Sequence, residues 1–221
     1  MRFVSAALSD TGRVRTNNED AFFADDRRCI YAVADGMGGH NAGEVASAIA
    51  IDMIAHPLDH APMLRDPTLY ANAVFTAAHK RILQKSHEDD SCARMGTTLT
   101  LCGITPAGML HVAHAGDSML YVLRKGVAKK ITEDQSRAGY VLLNCLGVSQ
   151  SSFSGATHYM KQLQPRDVVV LASDGLGNIL DTQRMTEPPL AHPQTLARLL
   201  IAAALAEGGR DNVTVVCVSV V

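Results

Sequence analysis

Apolar residues recur along the chain in two patterns, and each pattern predicts a type of secondary structure. Short apolar runs bounded by turn residues are typical of buried strands, whereas a helical period of apolar positions indicates helices packed by one face. The first pattern predicts strands over residues 3–9, 21–24, 29–34, 97–104, 109–114, 119–123, 127–131, 156–163, 167–173 and 213–221. The second predicts helices over residues 43–54, 68–86 and 194–206.

The connections between these elements indicate how the strands pair. Pro106-Ala107-Gly108 and Arg124-Lys125-Gly126 are short turn sequences between strands, so each predicts an antiparallel hairpin. Pro165-Arg166 divides residues 156–163 from 167–173 and predicts a third pair. Strands that are joined by short turns favour antiparallel sheets over alternating βαβ units. The pattern therefore predicts an α+β fold in which two stacked antiparallel sheets are covered by helices.

Composition and charge narrow the class of protein. The chain has 221 residues, of which 47% are hydrophobic, so one domain over residues 1–221 is expected. The formal net charge is −2 and no basic run occurs, which argues against nucleic acid or an anionic membrane as partner. The chain has no apolar stretch that is typical of a membrane-spanning helix or a signal peptide. The five cysteines show no metal-ligand spacing and fit a reducing cytoplasm.

Four aspartates carry the candidate chemistry. Asp35, Asp117 and Asp174 each end an apolar strand, and Asp211 immediately precedes the last strand. Carboxylates at strand ends can converge on a hard cation such as Mg²⁺ or Mn²⁺, which prefers oxygen ligands. Gly36, Gly38 and Gly39 follow Asp35 and predict a sharp turn that a ligand can approach closely. A single Asp-Gly is more often a simple turn, but the repetition favours a metal site.

Six short motifs resemble those of the PPM/PP2C family of metal-dependent protein serine/threonine phosphatases, and they occur in the family's order. They are Arg15-x-x-x-Glu19-Asp20, Asp35-Gly36-Met37-Gly38-Gly39, Gly96-Thr97-Thr98, Gly116-Asp117-Ser118, Ser173-Asp174-Gly175-Leu176 and Asp211-Asn212-Val213-Thr214. The resemblance covers about residues 9–219, and the Asp-Gly-Met-Gly-Gly motif is similar to the bacterial branch. It implies an αββα sandwich with a two-metal centre in a cleft at one end of the sheets.

The resemblance also implies a role for each site residue. Asp35 is expected to bridge two Mn²⁺ or Mg²⁺ ions, the Gly36 carbonyl to ligate one of them, and Asp174 and Asp211 to ligate the other. Asp117 resembles the aspartate of a third, weaker metal site, although a turn residue at a strand end is the equally plausible alternative.

The same resemblance assigns three residues that do not ligate the metals. Glu19 and Asp20 are expected to hold metal-bound waters, and Arg15 to grip the substrate phosphate. A guanidinium can bind two phosphate oxygens in parallel, which suits this role. The alternative for Arg15 is a surface arginine like its neighbour Arg13.

The sequence departs from the family pattern at four places. Gln135 stands where histidine is usual, Met119 where arginine is common, and Met37 where many eukaryotic members have a histidine proposed as general acid. The fourth departure is a deletion, because only residues 137–139 separate Ser136 from a segment that resembles the sequence after the family's flap. We therefore expect an open cleft, unless another segment such as residues 150–157 forms a lid.

These observations predict a bacterial protein serine/threonine phosphatase that hydrolyses its substrate with a metal-activated water. Its partners would be a phosphorylated protein and a cognate serine/threonine kinase, and the enzyme would be a cytoplasmic monomer without membrane insertion. Two alternatives remain: a catalytically weak regulatory or binding module, favoured by Gln135, Met119 and the missing flap, and a phosphatase for small phosphomonoesters.

Overall fold

The computed structural model of the protein describes residues 1–37, 42–56, 66–137, 141–182 and 192–221. These ranges form thirteen strands and four α-helices. The strands are β1 (Phe3–Asp10), β2 (Asp20–Asp25), β3 (Ile30–Met37), β4 (Gly96–Thr97), β5 (Leu99–Ile104), β6 (Met109–Ala115), β7 (Met119–Arg124), β8 (Val127–Lys130), β9 (Ser136–Arg137), β10 (Val141–Leu142), β11 (Thr157–Gln162), β12 (Val168–Ala172) and β13 (Val213–Val220). The helices are α1 (Gly43–Ala55), α2 (Pro67–Glu88), α3 (Ile179–Thr182) and α4 (Pro193–Ala206).

Two antiparallel sheets contain most of the strands. The first has the order β1-β13-β12-β7-β8, and the second has the order β11-β6-β5-β3-β2, with β4 paired to the end of β3. Strands β9 and β10 form a separate two-stranded pair. The hairpins predicted at Pro106-Ala107-Gly108 and Arg124-Lys125-Gly126 are confirmed as β5–β6 and β7–β8. None of the helices in the described ranges is long and apolar enough to cross a membrane.

Three apolar layers hold the sheets and helices together. The layer between the sheets contains Tyr31, Val33, Val112, Leu120, Val169, Leu171, Val216 and Val218. Helices α1 and α2 cover the outer face of the second sheet, and α4 covers the outer face of the first. The buried face of α1 includes Ala46 and Ala50, whose small side chains let the helix lie close to β3. The predicted αββα sandwich is confirmed.

One predicted strand pairing was wrong. Residues 156–163 and 167–173 do not form a hairpin, because β11 pairs with β6 in the second sheet and β12 lies between β13 and β7 in the first. The burial of the two strands explains the difference. All five residues of β12 are buried, as in a central strand, whereas β11 alternates between exposed and half-buried residues at a sheet edge. The turn at Pro165-Arg166 therefore crosses between the sheets.

Candidate metal centre

A cleft of about 310 Å³ opens at one end of the sandwich, where several strands end. Its lining residues are Arg15, Glu19, Asp35, Gly36, Met37, Thr98, Asp117, Leu142, Asp174, Asp211 and Asn212. All the residues that the sequence predicts for the site, except Asp20, are among them. The fold thus brings together side chains that are as much as 196 residues apart in the chain.

Asp20 and Asp35 are directly opposite each other in the β2–β3 ladder. Residues paired in this way project on the same side of a sheet, so the two carboxylates are neighbours. Burial, and then the charges of Asp20 and Asp174, hold the pKa of Asp35 well above its usual range. Burial raises the pKa of Asp20 to about 6. Both positions therefore disfavour a negative charge in the absence of a nearby cation.

The backbone of Asp35 is fixed by Thr98. The Asp35 N–H donates to Thr98 Oγ1 at 3.0 Å, and the Thr98 N–H donates to the Asp35 carbonyl oxygen at 2.9 Å. A side-chain hydroxyl here takes the place of a backbone acceptor, so the strand predicted over residues 97–104 divides into β4 and β5 at Thr98. Thr98, the last residue of the Gly96-Thr97-Thr98 motif, thus positions the central carboxylate.

The prediction that a turn begins at Gly36 was wrong, because Gly36 continues β3 by pairing with Thr97. Gly38 and Gly39, the other two glycines of that prediction, lie outside the described residues. A Cβ at Gly36 would collide with the carbonyl oxygens of Gly43 and Glu19. The absence of a side chain lets the N-terminus of α1 meet the end of β3. Burial, and then the charge of Glu44, raise the pKa of the Glu19 carboxyl in the same region.

Asp174 follows β12 and begins a single turn of 3-10 helix, Asp174–Leu176. Partial burial, and then the charge of Asp211, raise the pKa of Asp174, while a hydrogen bond with the Asp35 side chain acts in the opposite direction. The preceding residue, Ser173, connects this strand end to Asp20. Its Oγ donates to Asp20 Oδ2 at 2.7 Å and accepts from the Thr214 N–H at 2.9 Å.

Asp211 and Arg15 form an ion pair at the rim of the cleft. Arg15 Nη2 donates to Asp211 Oδ2 at 2.8 Å, and the Asn212 N–H donates to Asp211 Oδ1 at 2.9 Å. The guanidinium is half exposed, with 51% of the side chain accessible to solvent. Arg15 is therefore a partly exposed cation that is held at the rim by an aspartate of the site.

Asn212 connects Asp211 to the chain segment before β2. Its side chain accepts from the Glu19 N–H at 2.8 Å and donates to the carbonyl oxygens of Thr11 at 2.9 Å and Asn17 at 2.8 Å. These bonds order the segment that carries Arg15 and Glu19, rather than only the surroundings of Asp211. The position of Asn212 directly after Asp211 was the available sequence signal.

Asp117 lies between β6 and β7, where the chain crosses from one sheet to the other. Burial, and then the charge of Asp174, raise its pKa to about 6. It lines the same cleft as the other three aspartates, although its role as a ligand stays a prediction.

The donor set of the cleft fits divalent cations. Asp20 Oδ1 is buried and has no hydrogen-bond partner among the described residues, which is costly unless a cation or an ordered water satisfies it. The neighbouring carboxylates raise one another's pKa, and oxygen ligands suit Mn²⁺ and Mg²⁺. Within the part of the chain that the structure describes, no three side chains form a preformed ligand group. The Asp211 side chain points towards Arg15 because the two residues form an ion pair.

Strands β9 and β10 lie on either side of the position where the resemblance places a flap. Strands β9 and β10 pair directly, and the residues between them, 138–140, lie outside the described part. Leu142 of β10 lines the cleft, so the short pair contributes one apolar side chain to it. Residues 150–157 do not cover the carboxylates. Phe153 instead stacks on Phe75 of α2 with ring centroids 6.2 Å apart. Met37 stands where many eukaryotic members have a histidine proposed as general acid, and the described lining residues include no histidine.

Comparison with known proteins identifies the architecture. The sequence model described as "Protein phosphatase 2C" matches residues 12–207. The chain belongs to the protein phosphatase 2C family. It is 35% identical to the serine/threonine protein phosphatase PstP of Mycobacterium tuberculosis over 98% of its length. It is also 32% identical to the serine/threonine phosphatase stp of Listeria monocytogenes, with 95% of this chain and 93% of stp covered.

Two solved structures are similar to this chain over almost its whole length. The catalytic domain of PstP in complex with two manganese ions has a TM-score of 0.84 and 34% identity, and covers 100% of this chain and 99% of that domain. The PppA structure of Pseudomonas aeruginosa has a TM-score of 0.82 and 29% identity, and covers 99% of this chain and 97% of PppA. The chain spans 45% of the PstP sequence, about half its length.

Proposed function

We propose that this protein hydrolyses phosphoserine and phosphothreonine in proteins with a water activated by two divalent metal ions. The observation that carries the proposal is the meeting of Asp35, Asp174 and Asp211 beside Arg15 in one cleft of a protein phosphatase 2C fold. A manganese-bound relative with the same fold supports Mn²⁺ as a cofactor, and Mg²⁺ has the same preference for oxygen.

Each residue has a role in this proposal. Asp35 would hold both ions, the Gly36 carbonyl would add a ligand to one, and Asp174 and Asp211 would hold the other. When bound, two such ions would supply Lewis-acid activation of water and would offset negative charge on the phosphate. Asp117 offers a carboxylate for a third ion.

The remaining polar residues orient water and substrate. Asp20 Oδ1 is buried without a partner among the described side chains, and Glu19 lines the cleft, so these two carboxylates would each orient a water. Arg15 donates to the phosphate oxygens from the cleft rim. No cysteine is among the lining residues, and four of the five are buried. Attack by water therefore suits this cleft better than a cysteine nucleophile.

The wider setting is part of the same proposal. The enzyme acts as a monomeric domain over residues 1–221 on phosphoproteins made by a cognate serine/threonine kinase. A cytoplasmic location is supported by the five free cysteines, because thiols persist in reducing compartments.

The decisive experiment compares two substrates under two metal conditions. Purified protein is assayed against p-nitrophenyl phosphate and a phosphothreonine peptide, with Mn²⁺ and with chelator. We expect hydrolysis of both substrates with Mn²⁺ and loss of both in chelator. Turnover of p-nitrophenyl phosphate alone would indicate a small-molecule phosphatase. Peptide binding without turnover of either substrate would indicate a regulatory module, and full turnover in chelator would exclude the two-metal mechanism.

A further inference from the structure

Gln135 stands where the family resemblance leads one to expect a histidine, and its polar groups are engaged on two sides. Its N–H donates to the Gly116 carbonyl oxygen at 2.8 Å, and its Oε1 accepts from the Gly116 N–H at 3.1 Å. Gln135 therefore holds both backbone polar groups of the residue directly before Asp117. Oε1 also accepts from Asn144 Nδ2 at 2.9 Å, and Nε2 donates to Thr157 Oγ1 at 2.8 Å.

Gly116 depends on this support. Its φ is +114°, a region that residues with a side chain rarely adopt, and a Cβ there would lie 2.5 Å from the Thr98 side chain. The glycine is thus required by its conformation and by its close neighbour. A glycine has more backbone freedom than any other residue, so its conformation has to be fixed by outside contacts.

Ser118, on the other side of Asp117, is fixed by a separate contact. Its Oγ lies 2.7 Å from Thr98 Oγ1, the same hydroxyl that accepts from the Asp35 N–H. Asp117 therefore lies between a glycine held by Gln135 and a serine held by Thr98. The residues on both sides of Asp117 are therefore held in place, which fixes the position of the backbone from which its side chain enters the cleft.

We propose that Gln135 is a positioning residue for Asp117, which fixes the Gly116 backbone so that the Asp117 carboxylate is directed into the metal cleft. The inference rests on the proposed function, since it concerns the weaker third ion of that site. Gln135 does not line the cleft and acts through Gly116.

A neutral amide is well matched to this task because it accepts and donates at the same time. Its acceptor binds Gly116 and Asn144, while its donor binds Thr157 at the start of β11. The Gln135 carbonyl oxygen also accepts from the Leu143 N–H at 2.8 Å. The same residue thereby attaches the segment that follows β10 to the metal-site turn, in the region where relatives have a flap.

The test measures metal binding directly. Mn²⁺ is titrated by calorimetry into the wild-type protein and into Asp117→Ala, and the binding step lost in that variant defines the Asp117 site. We expect Gln135→Ala and Gln135→Met to weaken this step by about ten- to a hundredfold, the usual effect of removing a residue that orients a ligand. The affinities of the tighter Mn²⁺-binding steps should stay unchanged. Gln150→Ala, an exposed glutamine after β10, is the matched control.

Methionine separates positioning from packing, because it fills a similar volume and keeps the backbone hydrogen bonds of residue 135, but loses the side-chain bonds to Gly116, Asn144 and Thr157. Wild-type Mn²⁺ binding by Gln135→Met would overturn the proposal, as would a melting temperature that falls while the Asp117 step persists. The absence of any Asp117-dependent step would overturn it as well. If Gln135→Ala does not fold, the test is made with Gln135→Met alone. Failure of the proposed function is seen separately, as a wild-type protein that binds Mn²⁺ without hydrolysing either substrate.

Discussion

Two groups of polar residues lie in and behind the cleft, and we call them the acidic side and the neutral side. On one side, Asp20, Asp35 and Asp174 are crowded together, their pKa values are raised, and one buried carboxylate oxygen has no partner among the described residues. On the other side, the side chains of Thr98, Ser118, Gln135 and Asn144 are neutral and hydrogen-bonded to one another or to the backbone. Asp117 lies between the two sides.

This difference distinguishes the residues that would bind metal from the residues that hold them in position. Carboxylates with raised pKa values are destabilising when ionised, and they gain most from a bound cation. A satisfied network of neutral groups gains nothing from an ion, but it is rigid and defines where its neighbours point. We therefore expect substitutions on the acidic side to change metal binding and activity most, and substitutions on the neutral side to act through geometry.

The largest effect is expected for Asp35→Ala, which removes the carboxylate between both ions. Losing the ions should raise the barrier by about 4 kcal/mol, so kcat/KM for a phosphothreonine peptide should fall by about a thousandfold or more. Calorimetry should show loss of the tight Mn²⁺ binding. Asp134→Ala removes an exposed aspartate that pairs with Lys130 and is the control. A near-normal kcat for Asp35→Ala in Mn²⁺ would contradict the assignment of the acidic side.

Arg15→Ala should have the next largest effect, and it should weaken the interaction with substrate but not the binding of metal. Loss of a charge-assisted contact costs about 1.5–3 kcal/mol, which corresponds to about a ten- to a hundredfold decrease in kcat/KM for the phosphopeptide. Mn²⁺ affinity should not decrease, because the variant frees Asp211 Oδ2 from its ion pair. Arg13→Ala, two residues away and also exposed, is the matched control. Equal kcat/KM values for the two variants would make Arg15 an ordinary surface residue.

The raised pKa of Asp20 predicts a pH effect on stability. The folded-state pKa is about 6 and the reference value is 3.8, so the stabilising contribution is present below the lower value and is lost as the pH rises through 6. In chelator, Asp20→Asn should therefore gain stability relative to wild type between pH 4.5 and pH 7.5, by about 2 kcal/mol. Urea unfolding at both pH values measures this difference. If the stability difference between Asp20→Asn and wild type were the same at both pH values, the pKa of Asp20 would not be raised in the metal-free protein.

Much of the fold and of the acidic side can be predicted from the sequence, because local patterns encode both. Strand burial follows apolar runs, and the aspartates stand at strand ends that the sandwich brings together. The pairing of β11 and β12 was not predictable from their short turn, since the choice of sheet depends on the burial of all neighbouring strands. β12 is fully apolar, Val168 to Ala172, and this was the signal for a central position.

The neutral side is less predictable for a physical reason. Thr98, Asn212 and Gln135 act through hydrogen bonds to residues that are distant in sequence, and such partners leave no local period. Gln135 was treated as a departure that favours a regulatory module, yet its side chain bonds to Gly116, Asn144 and Thr157. A departure from a family pattern is thus weak evidence of lost function when the new residue can make its own network.

The smallest effect is expected at the short β9–β10 pair, where Leu142 alone reaches the cleft. Among the described residues, few side chains beyond the phosphate site are placed to contact a peptide, so kcat/KM across a panel of short phosphopeptides should differ by less than about a hundredfold. Leu142→Ala should reduce kcat/KM by about two- to fivefold for peptides with an apolar residue beside the phosphothreonine, through loss of a partly buried contact. Val141→Ala, in the same strand and 60% exposed, is the control. Differences beyond a hundredfold in the panel, retained in Leu142→Ala, would mean that other surfaces read the substrate and that the neutral side does more than hold Asp117.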